Sequence, residues 1–276
     1  MVLVHAFVGS IPTTPAMKLF QEYLSLYRTI EIMTEAEKQI EQEAVRWIRR
    51  PVNKRSIIDK FAPLDTYKPS AHPILMFTAG SPGAGKTEFI KGFRESFEPV
   101  LETRSVIIDP DAVRELLPGY TGANSYLFQR AISIAVDDLF RHVIMHKLSA
   151  CVDGTLSDYE RAYSNIRMAI EQYGMVTICY IFQHPSIAWH FTQIREAVEG
   201  RNIQKSAFIN KLLGAKDTAD KIKAQFGDKV MLNVILKDYK DIKENKAVAK
   251  VFTDVANVED CISFDYSKKS IEKDLL

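Results

Sequence analysis

Gly80-Ser81-Pro82-Gly83-Ala84-Gly85-Lys86-Thr87 satisfies the pattern G-x-x-x-x-G-K-[S/T] at every specified position. The apolar run Ile74-Leu75-Met76-Phe77-Thr78-Ala79 precedes it, and a helix-compatible stretch begins at Glu88. Strand, glycine-rich loop and helix in that order make a cradle for nucleotide phosphates. Glycines let successive backbone N–H groups converge on phosphate oxygens with no Cβ in the way. The start of the helix adds unpaired amides and the positive end of its dipole. In this arrangement Gly80, Ser81, Gly83, Ala84 and Gly85 line the cradle, Lys86 reaches the β- and γ-phosphates, and the Thr87 hydroxyl holds Mg²⁺. The expected ligand is ATP or GTP. The chain has no Asn-Lys-x-Asp motif to read a guanine base, and Asn53-Lys54-Arg55-Ser56 lacks the final Asp. A GTPase switch is therefore the less favoured of the two.

Outward from this loop the pattern alternates strand and helix from Ala71 onward, which predicts an α/β fold with a parallel sheet flanked by helices. The expected strands are Ile74–Ala79, Ser105–Asp109, Ser149–Asp153, Met175–Phe182 and Val230–Leu236, each a short apolar run buried on both faces. Helices are expected over Asn124–Lys147, after a Ser157/Glu160 capping box, after Pro185, around Ile203–Leu213 and around Thr218–Phe226. A further strand near Cys261–Phe264 is a guess, and the mixed charges of Lys237–Lys250 read as a solvated face.

The first seventy residues differ. Met17 to Tyr27 can form a helix, and Thr34 with Glu37 makes a capping box for another. Ala36, Ile40, Ala44 and Ile48 then recur every four residues as an apolar stripe, until Pro51 stops the helix. Pro63, Pro69 and Pro73 punctuate a connecting segment. The expected organisation is a helical extension and linker over residues 1–70, followed by a P-loop domain over 71–276.

A chain of 276 residues, 46% hydrophobic and 26% charged, with a net charge of +1, has the balance of an ordinary folded protein. That charge gives no global pull toward nucleic acid or an anionic membrane. Cys151, Cys179 and Cys261 lack metal-ligand spacing, and the first two fall in apolar strands, so buried free thiols of a reducing compartment are expected. The N-terminus lacks the basic start of a signal peptide, and no uncharged run reaches membrane-spanning length. The expected location is the cytoplasm of the producing cell or of a target cell. His142 and His146 lack a third ligand and read as helix-surface residues, while Trp47 and Trp189 read as core or interface aromatics.

In an open parallel α/β sheet, ligands sit beyond the carboxyl ends of the strands. Val106-Ile107-Ile108-Asp109-Pro110-Asp111 brings two carboxylates to such an end, near the phosphate cradle. A carboxylate there can take the proton of an attacking hydroxyl; alternatively, Asp109 or Asp111 caps the helix that follows. Cys151-Val152-Asp153-Gly154-Thr155 ends a second strand in an acid. Asp153 there can hold Mg²⁺, or Asp153 and Thr155 can orient the acceptor, or Asp-Gly can be a simple turn. Arg195 and Arg201, with Gly200 between them, lie where a lid would bring cations to the transferring phosphoryl group.

Assembled in order, these residues resemble the zeta toxin family, whose members are kinases of UDP-N-acetylglucosamine. The resemblance runs from Ala71 to Leu213, through the P-loop, Ile107-Ile108-Asp109-Pro110-Asp111 and Val152-Asp153-Gly154-Thr155, then Tyr180-Ile181-Phe182-Gln183-His184-Pro185, to Arg195 and Arg201. It implies that Lys86 and Thr87 bind ATP and Mg²⁺, and that Asp111 is the base for the sugar 3′-hydroxyl. It also implies that Thr155 and Asp137 contact the substrate and that Arg195 and Arg201 embrace the phosphates; Asp109 and Asp153, at the ends of the two acidic strands, are expected to bind the substrate beside them. Two departures fall on the acceptor side. Asp153 stands where the family commonly has Glu, and Leu156-Ser157 replace an arginine often found just after the Thr. The resemblance further implies that an antitoxin can hold the kinase inactive, as a separate protein or a fused N-terminal segment, and the helices before Pro51 are a candidate for such a segment. Three functions therefore stand: a UDP-N-acetylglucosamine kinase; a kinase of another hydroxyl, in a dinucleotide, nucleoside or antibiotic; and a nucleotide-binding module without turnover.

Overall fold

The computed structural model describes residues 33–101, 104–200, 203–237 and 248–275. Its contacts divide the chain into Met1–Ile40 and Glu41–Leu276. The Met17–Tyr27 helix expected from sequence lies outside the described residues. In the first unit the Thr34 capping box is formed in full: Thr34 N and Oγ1 both donate to Glu37 Oε2 (2.7 and 2.8 Å), and Glu37 N donates to Thr34 Oγ1 (3.2 Å). The helix it starts, α1, covers Glu35–Arg49; of its apolar stripe Ala44 and Ile48 are buried, beside Val45, whereas Ala36 and Ile40 are exposed. Pro51 ends this helix but also opens α2, Pro51–Phe61, from its first position. A proline whose φ is already helical and whose missing N–H would be unpaired there starts a helix as readily as it stops one. Helix α2 was not expected.

The second unit contains α2 and continues through β1 (Leu75–Ala79), α3 (Lys86–Leu101), β2 (Val106–Ile108), α4 (Pro110–Arg114), α5 (Gln129–Met145), β3 (Ala150–Val152) and α6 (Tyr159–Tyr173). It continues through β4 (Val176–Phe182), α7 (Pro185–Glu199), α8 (Lys205–Phe226), β5 (Val230–Lys237), β6 (Val248–Phe252) and α9 (Lys268–Asp274). The sheet order is β2-β3-β1-β4-β5-β6. The first five strands are parallel, with Phe77 opposite Val152 on one side and Ile178 on the other. Strand β6 is antiparallel to β5, pairing Phe252 with Val234, and was not foreseen in the sequence. Cys261–Phe264 forms no strand; a 3₁₀ turn occupies Glu259–Cys261. The helices expected around Ile203–Leu213 and Thr218–Phe226 are one continuous helix, α8. Helix α6 is capped by Asp158, which accepts from Arg161 N (3.2 Å), and not by Ser157.

The core lies between sheet and helices. Met76, Ala84, Ile90, Cys151, Cys179, Ile181 and Ile235 pack on the α3 face, and Ala188, Phe208, Ile209, Leu212 and Ile271 form a second cluster that Trp189 joins. Burial pushes the thiols of Cys151 and Cys179 up to about 12, so both are inert, space-filling groups. Helix α2 packs on α5, where His142 Nε2 donates to the Ala62 carbonyl (3.2 Å), so His142 is a tie between helices and not a free surface residue. Among the described residues no helix is long and apolar enough to cross a membrane.

Leu139 on α5 is fully buried. Leu139→Ala is expected to cost about 2–5 kcal/mol through lost burial and the cavity left behind, read as a lower urea midpoint at unchanged slope.

Candidate active site

Because five strands run parallel, their carboxyl ends share one edge of the sheet, and the chemistry-bearing residues follow those ends directly. The P-loop leaves β1 through Gly80 at φ +133°, and Gly83 follows at φ +72°. A Cβ on Gly80 would lie 2.3 Å from the Ile181 carbonyl oxygen, and one on Gly83 only 2.1 Å from that of Ala188. Side chains are therefore barred twice over, by conformation and by close backbone approach. Ala84 within the loop is fully buried, and Ser81 is buried with no partner for its hydroxyl among the described residues. A glycine-lined cradle with an orphaned hydroxyl fits a phosphate chain.

Lys86 opens α3. Its ammonium folds back onto the loop, donating to the carbonyls of Ser81 (2.7 Å) and Gly80 (3.3 Å). Burial pushes it down to about 8; Asp153 opposes that shift, while Lys211 and Arg195 add to it. Thr87 Oγ1 donates to Asp153 Oδ2 (2.7 Å), and Asp153, buried at the end of β3, also accepts weakly from Thr78 Oγ1 (3.4 Å). A hydroxyl and a carboxylate joined in this way are the donor pair that a hard cation takes beside a triphosphate. Among the described residues no group of three or more His, Cys, Asp or Glu converges as a metal site.

At the end of β2 both readings of the acidic pair hold, one for each residue. Asp109 caps α4, its carboxylate accepting from Asp111 N (2.8 Å), and burial raises its pKa. That leaves Asp111 pointing outward, half-exposed. Arg114 donates to one of its oxygens, and Arg195 Nη2 lies 4.0 Å from the other. Arg114 itself is buried, and its second arm donates to Gln129 Oε1 (3.2 Å). Two cations from different helices thus flank one carboxylate. Arg201 lies outside the described residues.

The acceptor-side residues are less closely drawn in. Gly80 N donates to the Thr155 carbonyl (3.2 Å), so Thr155 abuts the P-loop, but its hydroxyl bonds Ser157 Oγ (2.8 Å). Helix α8 presses on this turn through Gly214, where a Cβ would lie 2.7 Å from the Ser157 carbonyl oxygen. Asp137 sits on α5 and pairs with Arg161 Nη2 (2.7 Å), which also reaches Ser133. Between α5 and α6 a cavity of about 440 Å³ is lined by Asp137, Phe140, Arg141, Asp158 and Arg161, among others.

Four contributors went unnoticed in the sequence. Arg114 stands three residues after Asp111, a helical neighbour spacing that is a usable signal. Lys211, Arg161 and Lys237 become neighbours of the site only through the fold. Lys237, read as part of a solvated face, is instead buried and donates to the Gly85 carbonyl (2.8 Å). Strand β5 carries it to the same sheet edge as the P-loop, which a charge count along the chain cannot show.

A mostly parallel sheet with a glycine-lined loop, a Lys86-Thr87 helix start and Asp153 at the end of the neighbouring strand defines a P-loop fold. The zeta toxin family model matches residues 59–252, and the chain belongs to that family. No curated protein matches it by sequence. Among solved structures it is similar to one from the PezAT chromosomal toxin-antitoxin system of the human pathogen Streptococcus pneumoniae, at 19% identity and a TM-score of 0.55, over 88% of this chain and 96% of the other. It is also similar to the AvrRxo1-ORF1:AvrRxo1-ORF2 structures, solved with sulphate ions and with ATP, at 16% identity and a TM-score of 0.50, over 89% of this chain and 73% of theirs. At these identities the likeness is one of fold.

Proposed function

We propose that this chain is a phosphotransferase that moves the γ-phosphoryl group of ATP to the 3′-hydroxyl of UDP-N-acetylglucosamine. The observation that carries the reading is Asp111, a half-exposed carboxylate held between Arg114 and Arg195 at the strand end beside the P-loop. Membership of the zeta toxin family supports it, as does the ATP complex of a structurally similar protein.

In this reading the Gly80–Lys86 loop lines the phosphates, the backbone amides of Gly83, Gly85 and Lys86 bind and orient them, and Lys86 leaves the Ser81 carbonyl to neutralise them. Thr87 and Asp153 would hold Mg²⁺, which supplies charge neutralisation across the phosphate oxygens when bound. Asp111 accepts the proton of the attacking hydroxyl, while Arg114 fixes the carboxylate's orientation. Arg195, with Arg201, stabilises the charge that develops on the transferring group. Thr155, Asp137, Asp109 and the Asp153 turn orient the acceptor. The reaction belongs in the cytoplasm of the producing cell or of a target cell, where both substrates are found, and it consumes a cell-wall precursor. Expression in a bacterium is expected to arrest growth and drain the UDP-N-acetylglucosamine pool, and Asp111→Asn is expected to spare both. Arrest with an undiminished pool would remove this acceptor.

A second reading keeps the machinery and changes the acceptor to another hydroxyl. The observation favouring it is that Thr155 and Asp137 have their polar groups turned to Ser157 and Arg161. A competition assay with dinucleotides, nucleosides and sugar nucleotides separates the two.

The N-terminal region, proposed here as an extension and linker over residues 1–70 preceding the kinase domain, is also proposed to restrain the enzyme, as an antitoxin does. The PezAT system, a toxin-antitoxin pair, supports such a partner in this fold. The cut that tests it removes residues 1–40, because α2 is tied to α5 and belongs to the second unit. A stable truncation with no gain in activity would reject the restraint.

A further inference from the structure

We propose that Lys237 is a positioning residue of the phosphate cradle, one that pins the Gly85–Lys86 peptide so that the Lys86 N–H faces the bound phosphates. The proposal rests on the nucleotide reading above. Lys237 is the last residue of β5, next to Leu236, which pairs with Phe182 on β4. Its side chain runs inward, 8% exposed, and its ammonium donates to the Gly85 carbonyl oxygen at 2.8 Å. The same oxygen accepts from Phe89 N (3.1 Å), closing the first turn of α3. Both lone pairs of one carbonyl are therefore committed.

A trans peptide is planar, so fixing its C=O direction fixes its N–H direction on the opposite side. The N–H in question belongs to Lys86, in the first turn of a helix, where amides have no intrahelical acceptor and face an anion. A cation on the carbonyl also polarises the peptide and strengthens its N–H as a donor. Glycine at position 85 leaves the approach open: a Cβ there would lie 2.4 Å from the Lys237 ammonium nitrogen.

The arrangement is costly in the absence of a ligand. A buried ammonium loses solvation, and a cation at a helix N-terminus opposes the helix dipole. Lys86 occupies the same end, so two lysines meet there, with Glu88 acting on both and Asp153 on Lys86. An apolar side chain would hold β5 against α3 at less expense. Glu88 offsets part of that cost, and an anion bound in the cradle would offset more.

The test uses the full chain, with Lys237→Met and Lys237→Arg beside the wild type. Mg·ATP and Mg·triphosphate are titrated by calorimetry, and thermal unfolding is followed without ligand. Lys237→Met is expected to weaken both ligands about tenfold, the scale of one hydrogen bond to a charged donor, while leaving the unfolding midpoint equal or higher. Lys237→Arg is expected to keep most of the affinity. Loss for ATP but not for triphosphate would place Lys237 at the nucleoside and overturn the proposal. So would unchanged affinity in Lys237→Met, or failure of that variant to fold, which would assign Lys237 to the scaffold. A wild type that binds neither ligand removes the nucleotide reading itself, and this proposal with it.

Discussion

Asp111→Asn is expected to lower turnover by about 10²–10⁴-fold while Mg·ATP binds as tightly as before. The substitution keeps the size of the side chain and still offers Arg114 an oxygen to donate to, so α4 and the Asp109 cap stay in place. What it removes is the acceptor for the proton of the attacking hydroxyl. Asp111 is 38% exposed at its side chain, open to an incoming alcohol, whereas Arg114 behind it is 6% exposed and held by Gln129. A wall of this kind fixes where the carboxylate points. Steady-state turnover at saturating substrates, beside calorimetric titration of Mg·ATP, separates the two effects. Turnover within about threefold of wild type would take Asp111 out of the chemistry, because a positioned general base contributes far more than that.

The second large effect belongs to Lys86. Lys86→Ala removes a cation that meets the phosphates and is expected to cut kcat/KM by about 10²–10³-fold. Its pH signature is the sharper test. Burial holds the ammonium down at about 8 in the unliganded protein, with Lys211 and Arg195 adding to the shift and Asp153 opposing it. Phosphate favours the charged form, so the bound state raises that pKa. Below about pH 8 the lysine is charged before ATP arrives, and affinity is flat. Above it, binding must first take up a proton, so affinity falls as pH rises, by up to about tenfold per unit. In Lys86→Ala that decline should disappear. A wild-type profile that stays level from pH 7 to 9 would mean that Lys86 does not titrate against the ligand.

The elements most legible in the sequence are those whose residues are buried on both sides. The strands β1 to β5 are apolar runs because a parallel sheet covered by helices leaves no polar face, and their positions hold to within a residue or two. The P-loop is legible because backbone geometry, not packing, dictates its glycines. What escaped notice depends on context. Strand β6 is a short edge strand with Lys250 in its middle, next to a charged stretch, so it lacks a continuous apolar run. Helix α2 hid behind Pro51, which carries opposite meanings at a helix end and a helix start. Ser157, three residues before Glu160, reads as the cap of α6, but its hydroxyl is taken by Thr155 and Asp158 caps the helix instead.

The candidate site divides in the same way. Lys86, Thr87, Asp111 and Asp153 lie within motifs, and the fold brings Thr87 to Asp153 and Lys86 under the field of Asp153. Asp137 is brought to Arg161, a partner on the next helix that no spacing rule supplies. Lys211 and Lys237 arrive at the cradle from the last long helix and the fifth strand, far from it along the chain. Residues that act through their own motif can be read in order; those that act across the sheet edge need the topology.

One measurement tests the central claim most directly: mass spectrometry of Mg·ATP and UDP-N-acetylglucosamine incubated with the wild type, Lys86→Ala and Asp111→Asn. The account predicts a sugar nucleotide carrying one added phosphate at its 3′-hydroxyl, made by the wild type and lost in both variants. An unmodified sugar nucleotide, from a wild type that binds ATP, would contradict it.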